Sequence, residues 1–303
     1  MNIRLLAILA GLSTIGIYAL QFVGARFSLT TQGELARLTS TDLTILRIFA
    51  SGLFFLPFLR KRHVRAFLNL GWPRIILLTA LAGAPYPFLI NIGLGFTPAA
   101  HAAAILPSSV VLFSSILGLL AFKAPISRHS GISLLLIGTG MALFVCYDLI
   151  YNPWALPGDL ILFMVGAGFA YFSLTVRDLE IDPLAVTAGI VWCSWPLTIP
   201  MFLAMPSNLF AASMAEIASQ AIIQGVLAGA IALFLTTFAA RHLGSQTASL
   251  FLVGIPITTA LLGALALGEL PIPLEIVALG LMAIGIGLPA TRFLWAQYKT
   301  ARR

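Results

Sequence analysis

Long apolar runs separated by short polar corners recur along the whole chain. A membrane-spanning helix needs about 20 mostly apolar residues. On that measure the runs predict ten helices, over residues 5–24, 43–59, 75–95, 101–122, 131–149, 159–176, 184–205, 217–240, 247–267 and 274–295. The last pair is the most regular: two apolar runs joined by the tight corner Gly268-Glu269-Leu270-Pro271-Ile272-Pro273. It has an earlier counterpart. A shift of 146 residues lays 101–126 on 247–272, so that Ala102 meets Ala248, Leu106 meets Leu252, Leu119 meets Leu265 and Pro125 meets Pro271, with Lys123 where Glu269 stands. One inserted residue later, Leu134, Ile137, Gly138 and Gly140 fall on Leu281, Ile284, Gly285 and Gly287, again a run ending in Gly-x-Gly. The same order of run, corner and Gly-ended run, at a shift close to half the length, marks an internal duplication. It divides the chain into residues 1–150 and 151–303, with five spans in each.

Composition points the same way. Hydrophobic residues make up 60% of the 303 and charged residues only 9%, against roughly 25% charged in a soluble domain, so no sizeable soluble domain fits. The net charge of +7 would suggest nucleic acid only if it formed a basic patch on a soluble face. Here the basic residues sit in short corners, and no nucleic-acid partner is expected. Cys146 and Cys193 lie in apolar runs without CxxC or Cys/His spacing, which leaves no disulfide framework, metal site or cofactor to expect. The first run could pass for a secretory signal, but at 5–24 it is longer than an h-region of about 7 to 15 residues, and it is expected to remain as a helix.

Lys and Arg in the short loops orient a membrane protein. With a cytoplasmic N-terminus the inner side holds Arg4, Arg60, Lys61, Arg62, Arg65, Arg74, Lys123, Arg128, Arg177, Arg241, Arg292, Lys299, Arg302 and Arg303, fourteen of the seventeen. The outer side holds Arg26 and Arg37, and Arg47 falls inside the second helix. The expectation is therefore a multi-pass protein of the cell (inner) membrane with both termini cytoplasmic. Five spans per half then force the second half to enter from the opposite face. The expected fold is an all-α integral membrane protein of ten transmembrane helices, arranged as two inverted five-helix repeats around a central cavity, the arrangement that supports alternating access. Trp72, Trp154, Trp295 and Tyr298, at helix ends, suit the headgroup level. The longest connection, 25–42, reads as a polar external loop.

This layout, with Pro107 and Pro256 in the fourth and ninth helices, the Gly268-Glu269-Leu270 corner, Arg47 in the second helix and Gly-ended fifth and tenth helices, resembles the EamA branch of the drug/metabolite transporter superfamily. The resemblance covers nearly the whole chain through diffuse motifs. Family members often repeat the acidic corner in both halves, whereas the first half here has Lys123. The resemblance implies a cytoplasmic-membrane exporter of small metabolites, often amino acids, as in the aromatic amino acid exporters of the YddG type. It also implies a central cavity lined by the first, third, fourth, sixth, eighth and ninth helices.

Polar groups inside spans are costly and usually face the bundle interior or a water-filled path. The substrate-binding candidates are Tyr18, Gln21, Tyr86, Asn91, Ser108, Tyr171, Thr237, Ser249 and Thr258, with Ser109, Thr236 and Thr259 beside them. For each hydroxyl the competing reading is a bond to its own helix backbone. Pro85 and Pro87, Pro107 and Pro256 interrupt helices and are candidate hinges. Proline leaves the carbonyl four residues earlier without its donor, so Ala103 and Leu252 should offer free carbonyls. Arg47 reads as a shallow residue, snorkelling outward or pairing with Asp42 or Glu34. His101 is a capping or interfacial histidine, with a gating or proton-linked role as the alternative. Trp192 and Trp195, inside the seventh helix, face lipid or stack a ligand. The Gly225-x-x-x-Gly229 pattern is expected to pack within the bundle of a monomer rather than between subunits.

A membrane-embedded enzyme would need a catalytic constellation, and the chain has no HExxH, GxSxG or metal-ligand cluster in sequence. A scaffold would not need broken helices. What remains is an exporter working by alternating access, with a channel-like pore or export of other metabolites or drugs as alternatives. Every Asp and Glu reads as lying in a loop or near a helix end, so no acid at depth is available to drive a proton pump and facilitated diffusion is expected. With Arg47 shallow, the cavity inventory suits a compact neutral or zwitterionic molecule, most simply an amino acid, including aromatic ones. The expected partners are thus a small-molecule substrate and the lipid bilayer.

Overall fold

The computed structural model describes residues 3–30, 38–58, 60–122, 128–177, 179 and 181–301; Lys123, Glu34 and Arg37 lie outside them, as does the side chain of Ser249. Among the described residues every regular element is helical. They are α1 (Ile3–Thr30), α2 (Ser40–Phe55), α3 (Lys61–Leu68), α4 (Trp72–Ala82), α5 (Pro85–Phe96), α6 (Ala99–Phe122), α7 (Arg128–Tyr151), α8 (Leu156–Arg177), α9 (Pro183–Ala204), α10 (Met214–Gln220), a π-helical segment (Ala221–Ile231), α11 (Ala232–Leu243), α12 (Ser245–Leu267) and α13 (Pro273–Ala301). Nine stretches among the described residues are long and apolar enough to cross a membrane, and Pro273–Leu288 is a shorter apolar helix. Long apolar helices of this number make the chain a multi-pass membrane protein, since a helix satisfies its own backbone in lipid.

The differences from the sequence reading have local causes. α1 runs on to Thr30 instead of ending near residue 24, because Arg26 is held by Glu269 and by the carbonyls of Leu94 and Gly95. α2 starts at Ser40, not 43. Its N-cap is Thr39, whose hydroxyl accepts from Asp42 N while the Asp42 carboxylate accepts from Thr39 N at 2.9 Å, a reciprocal box that satisfies two end donors. The corner 60–74 contains α3, a short amphipathic helix that turns His63 and Phe67 inward and its basic residues outward. The third span is two helices. It breaks at Gly83 and Ala84, where Pro85 and Pro87 withdraw two donors and Ala84 N donates instead to Ser194 Oγ at 3.0 Å. Pro107 and Pro256 stay within continuous helices.

Small residues set the helix pairs. α7 lies along α13, α6 along α8, and α1 along α12. A Cβ on Gly140 would meet Met282 Cγ at 2.7 Å, and one on Gly285 would meet Ile137 Cγ1 at 2.7 Å. Close backbone approach of this kind is what membrane helices use in place of a hydrophobic driving force. The Gly225/Gly229 pattern packs on α2, against Ala50 and Ser51, as expected, through the wider turns of the π-helical segment. Trp192 and Trp195 are half-buried, and their indole N–H groups donate to the carbonyls of Gly52 and Ile48 on α2 at 3.3 and 3.1 Å. The tight corner after α12 turns on Gly268, whose φ of +70° is costly for any side chain with a Cβ.

Candidate functional site

A cavity of about 340 Å³ lies among α1, α2, the broken third span, α6, α8, α9, the π-helical segment, α11 and α12. That volume falls at the lower end of small-ligand pockets, roughly 300 to 1,000 Å³. The second and seventh spans thus join the six that the resemblance implied. One side is aromatic: Tyr86 packs on Phe169 with ring centroids 5.0 Å apart, and Phe169 on Phe172 at 5.3 Å. The polar groups in the wall are few, namely Tyr18, Gln21, Arg47, Ser51, Tyr86 and Thr187.

Arg47 corrects the sequence reading. With α2 starting at Ser40, it stands seven residues in, about 10 Å along the axis at 1.5 Å per residue, and in the cavity wall. Asp42, its expected partner, is occupied elsewhere: it accepts from Thr39 N, from Ser207 Oγ at 2.5 Å and from Asn208 N at 2.9 Å. No carboxylate among the described residues lies within ion-pair distance of Arg47, and none stands in the wall. The capping box at Thr39 and Asp42 is the sequence signal that gives this depth.

Of the other candidates, Tyr18, Gln21 and Tyr86 line the cavity, as do Pro87 and Pro107. Gln21 is buried and its side-chain Oε1 has no hydrogen-bond partner among the described residues. Ala103 and Leu252, whose carbonyls lose their donors to Pro107 and Pro256, both stand in the same wall. The remaining candidates lie elsewhere. Asn91 is buried against α2, 3.4 Å from Thr44 Oγ1, and Ser108 is buried outside the wall. Ser109, Thr236, Thr237 and Thr259 donate to carbonyls of their own helices. Thr258 is outside the wall, and so is Pro256, whose turn presents Leu252 and Ile255 instead. Pro85 lies at the break, next to Tyr86 but outside the wall. Tyr171 is 47% exposed; at about 100° per residue it points away from the side that Phe169 and Phe172 share. Phe169, Phe172, Ser51 and Thr187 were missed because an apolar or small side chain carries no sign of which way it faces.

At one end of the bundle a second group of polar side chains gathers. Arg26 Nε donates to Glu269 Oε1 at 2.7 Å, and Arg26 Nη1 to Leu94 O at 2.7 Å and Gly95 O at 3.0 Å. Glu269 Oε2 accepts from Ala99 N at 3.0 Å. Beside it His101, 2% exposed, stands between Asp159, Asp148 and Glu275. His101 is therefore no interfacial cap, and Asp148 and Asp159, near helix ends in sequence, are buried. A smaller cavity of about 290 Å³ reaches His101, Glu269 and Glu275.

The geometry is that of a multi-pass membrane protein, an apolar helical bundle with a sparse polar cavity at mid-helix. Residues 5–146 match the EamA-like transporter family, and the chain carries an EamA domain of the drug/metabolite transporter superfamily, which supports a transporter role. Among curated proteins, none matches the sequence. Solved structures do: one crystal structure of a protein superposes with a TM-score of 0.62 at 19% identity, covering 94% of this chain and 97% of its own. At that identity the likeness concerns the fold alone.

Proposed function

We propose that the chain is an alternating-access exporter of small zwitterionic metabolites, most simply amino acids, in the cell (inner) membrane, with residues 1–150 and 151–303 forming two inverted repeats. One observation carries the substrate class: a single cation among the described residues, Arg47, in a largely apolar and aromatic wall that also holds Gln21, Ala103 and Leu252. The guanidinium fork matches a carboxylate. An ammonium would be met by the Gln21 amide oxygen and by the carbonyls of Ala103 and Leu252 that Pro107 and Pro256 leave without donors. Tyr18, Tyr86, Phe169 and Phe172 provide the apolar surface for a side chain, aromatic ones included. The wall contains no acid or histidine among the described residues, which supports transport down the substrate's own gradient.

The repeat reading is supported by the packing pairs. Exchanging each span with the one five places on converts the first-with-ninth pair into sixth-with-fourth, and second-with-eighth into seventh-with-third. The fifth-with-tenth pair maps onto itself, and all these pairs are in contact. With cytoplasmic termini, the Arg26–Glu269 pair and the His101 group lie at the outer ends of the spans, where they close that side.

In proteoliposomes, amino-acid flux is expected to saturate and to show counterflow, with little flux of sugars, sugar phosphates, nucleotides or cationic drugs. Tyr86→Ala, which removes a partly buried aromatic face from the wall, should reduce it about 10-fold. Selective sugar-phosphate transport would overturn the substrate class, and flux linear in gradient would favour a channel-like pore. Orientation is checked by thiol labelling with Cys146 and Cys193 replaced by Ala. An impermeant reagent outside intact cells should label Asn152→Cys and not Arg65→Cys; the reverse pattern would invert the topology.

A further inference from the structure

We propose that His101, Asp148 and Asp159 form a three-ligand site for a divalent transition-metal cation of the Zn²⁺ class, with Glu275 and Thr97 holding two of the ligands in place. The three side chains come from α6, α7 and α8, and one ligand atom from each lies within 4.8 Å of the others. His101 Nδ1 is 3.2 Å from Asp159 Oδ2 and 3.7 Å from Asp148 Oδ2. In a tetrahedral zinc site with bonds of about 2.0 to 2.2 Å, ligand atoms stand about 3.3 to 3.6 Å apart, so the two edges at His101 need shifts of only tenths of an ångström, and the third, between the carboxylates, lies within 4.8 Å.

The hydrogen-bond inventory calls for a positive charge at this point. His101 Nε2 is 3.1 Å from Glu275 Oε1 on α13. A neutral imidazole carries one N–H. Donated to Glu275, it leaves the Nδ1 lone pair facing two carboxylates, so the cluster needs one positive charge, either a second proton on the ring or a cation between the three side chains. Asp148 is a second sign of a ligand. It is 0% exposed, no donor among the described residues reaches either carboxylate oxygen within hydrogen-bond distance, and its nearest basic group is His101 at 3.7 Å. A buried carboxylate held this loosely is costly, and a coordinated metal removes that cost.

The surroundings are those of a metal site. Ligating histidines typically donate their other N–H to a carboxylate, and ligating carboxylates are themselves hydrogen-bonded. Here Glu275 takes the first part, and Thr97 Oγ1, 2.6 Å from Asp159 Oδ1, takes the second. Phe144 stacks on the His101 ring at 4.0 Å and keeps it from turning. One nitrogen and two oxygens suit zinc or manganese better than a soft cuprous ion. Three protein ligands leave a fourth position for water, and the smaller cavity at His101 gives an entry path. A cation there would tie the ends of three spans together without touching the central cavity. No local motif announces the site, because its residues stand at 101, 148, 159 and 275.

The test uses the purified full chain in detergent, stripped with a chelator and titrated with Zn²⁺. Bound metal is read by elemental analysis, affinity by calorimetry, and coupling to the fold by thermal unfolding. One Zn²⁺ per chain with a raised Tm is expected. His101→Gln and Asp148→Asn should abolish stoichiometric binding, and Glu275→Gln should weaken it about 10- to 100-fold. His63→Gln, at the unrelated His63–Asp182 pair, should leave it unchanged. The absence of an equivalent of bound Zn²⁺ in the wild-type protein would overturn the proposal whatever the variants do, and would leave a proton shared by the cluster as its occupant. Binding equal to wild type in properly folded His101→Gln and Asp148→Asn would overturn it as well, marking the metal as adventitious.

Discussion

Arg47→Ala is expected to reduce amino-acid flux more than any other single change in the cavity wall. The side chain stands midway along α2 with no carboxylate partner among the described residues. Its charge is therefore available to a ligand. A hydrogen bond to a charged group is worth about 1.5 to 3 kcal/mol, so the apparent affinity for a carboxylate-bearing substrate should fall about 10- to 100-fold. Arg47→Lys keeps the charge but loses the planar two-pronged donor, and should recover only part of the loss. The discriminating measurement pairs an amino acid with its amide or methyl ester. If Arg47 reads the carboxylate, the variants lose discrimination between the two along with affinity. Equal losses for both compounds would mean that Arg47 shapes the wall without touching the carboxylate, and the substrate assignment would fall with it.

How much of this was legible before folding depended on the kind of information each residue carries. Span length and apolar content located the nine stretches that are long enough to cross a membrane among the described residues, and Pro85 with Pro87 marked the span that breaks among them. Gly225 and Gly229 announced a close contact that exists. Depth was legible only where a cap was recognised. Read from residue 43, Arg47 looked shallow; read from the Thr39 box, it is central. Rotation about the helix axis was not legible. An almost uniformly apolar helix gives no contrast between its faces, so Tyr171 looked as good a lining residue as its neighbours Phe169 and Phe172. Burial at helix ends was the other gap. Asp148 and Asp159 sit close to span termini in the chain, where solvent is the usual expectation, but α6 and α13 cover them. Residues separated by up to 174 positions, as His101 and Glu275 are, meet only after the spans have packed.

Breaking the Arg26–Glu269 pair should shift the protein toward a state open at that end. The pair joins the end of α1 to the corner before α13. Through further bonds it also holds the last carbonyls of α5 and the first donor of α6. Four spans therefore share one clasp. Removing one member of a buried pair costs about 3 to 5 kcal/mol, but these side chains are 16% and 21% exposed, and solvent screening reduces the value. A cost of about 1 to 3 kcal/mol to the closed state would change the ratio of open to closed protein by about one to two orders of magnitude. Glu269→Gln keeps the size and the acceptor for Ala99 N while removing the charge, so it isolates the ion pair from the cap; Arg26→Ala removes the bonds to α5 as well and should act more strongly. A thiol placed at Ala100, beside the smaller cavity, should be labelled faster from outside in both variants. The exchange Arg26→Glu with Glu269→Arg should slow labelling again if the charges themselves carry the clasp. Labelling as slow in Arg26→Ala as in the parent protein would show that this end is held shut by packing alone, with the Arg26–Glu269 pair a passenger on it.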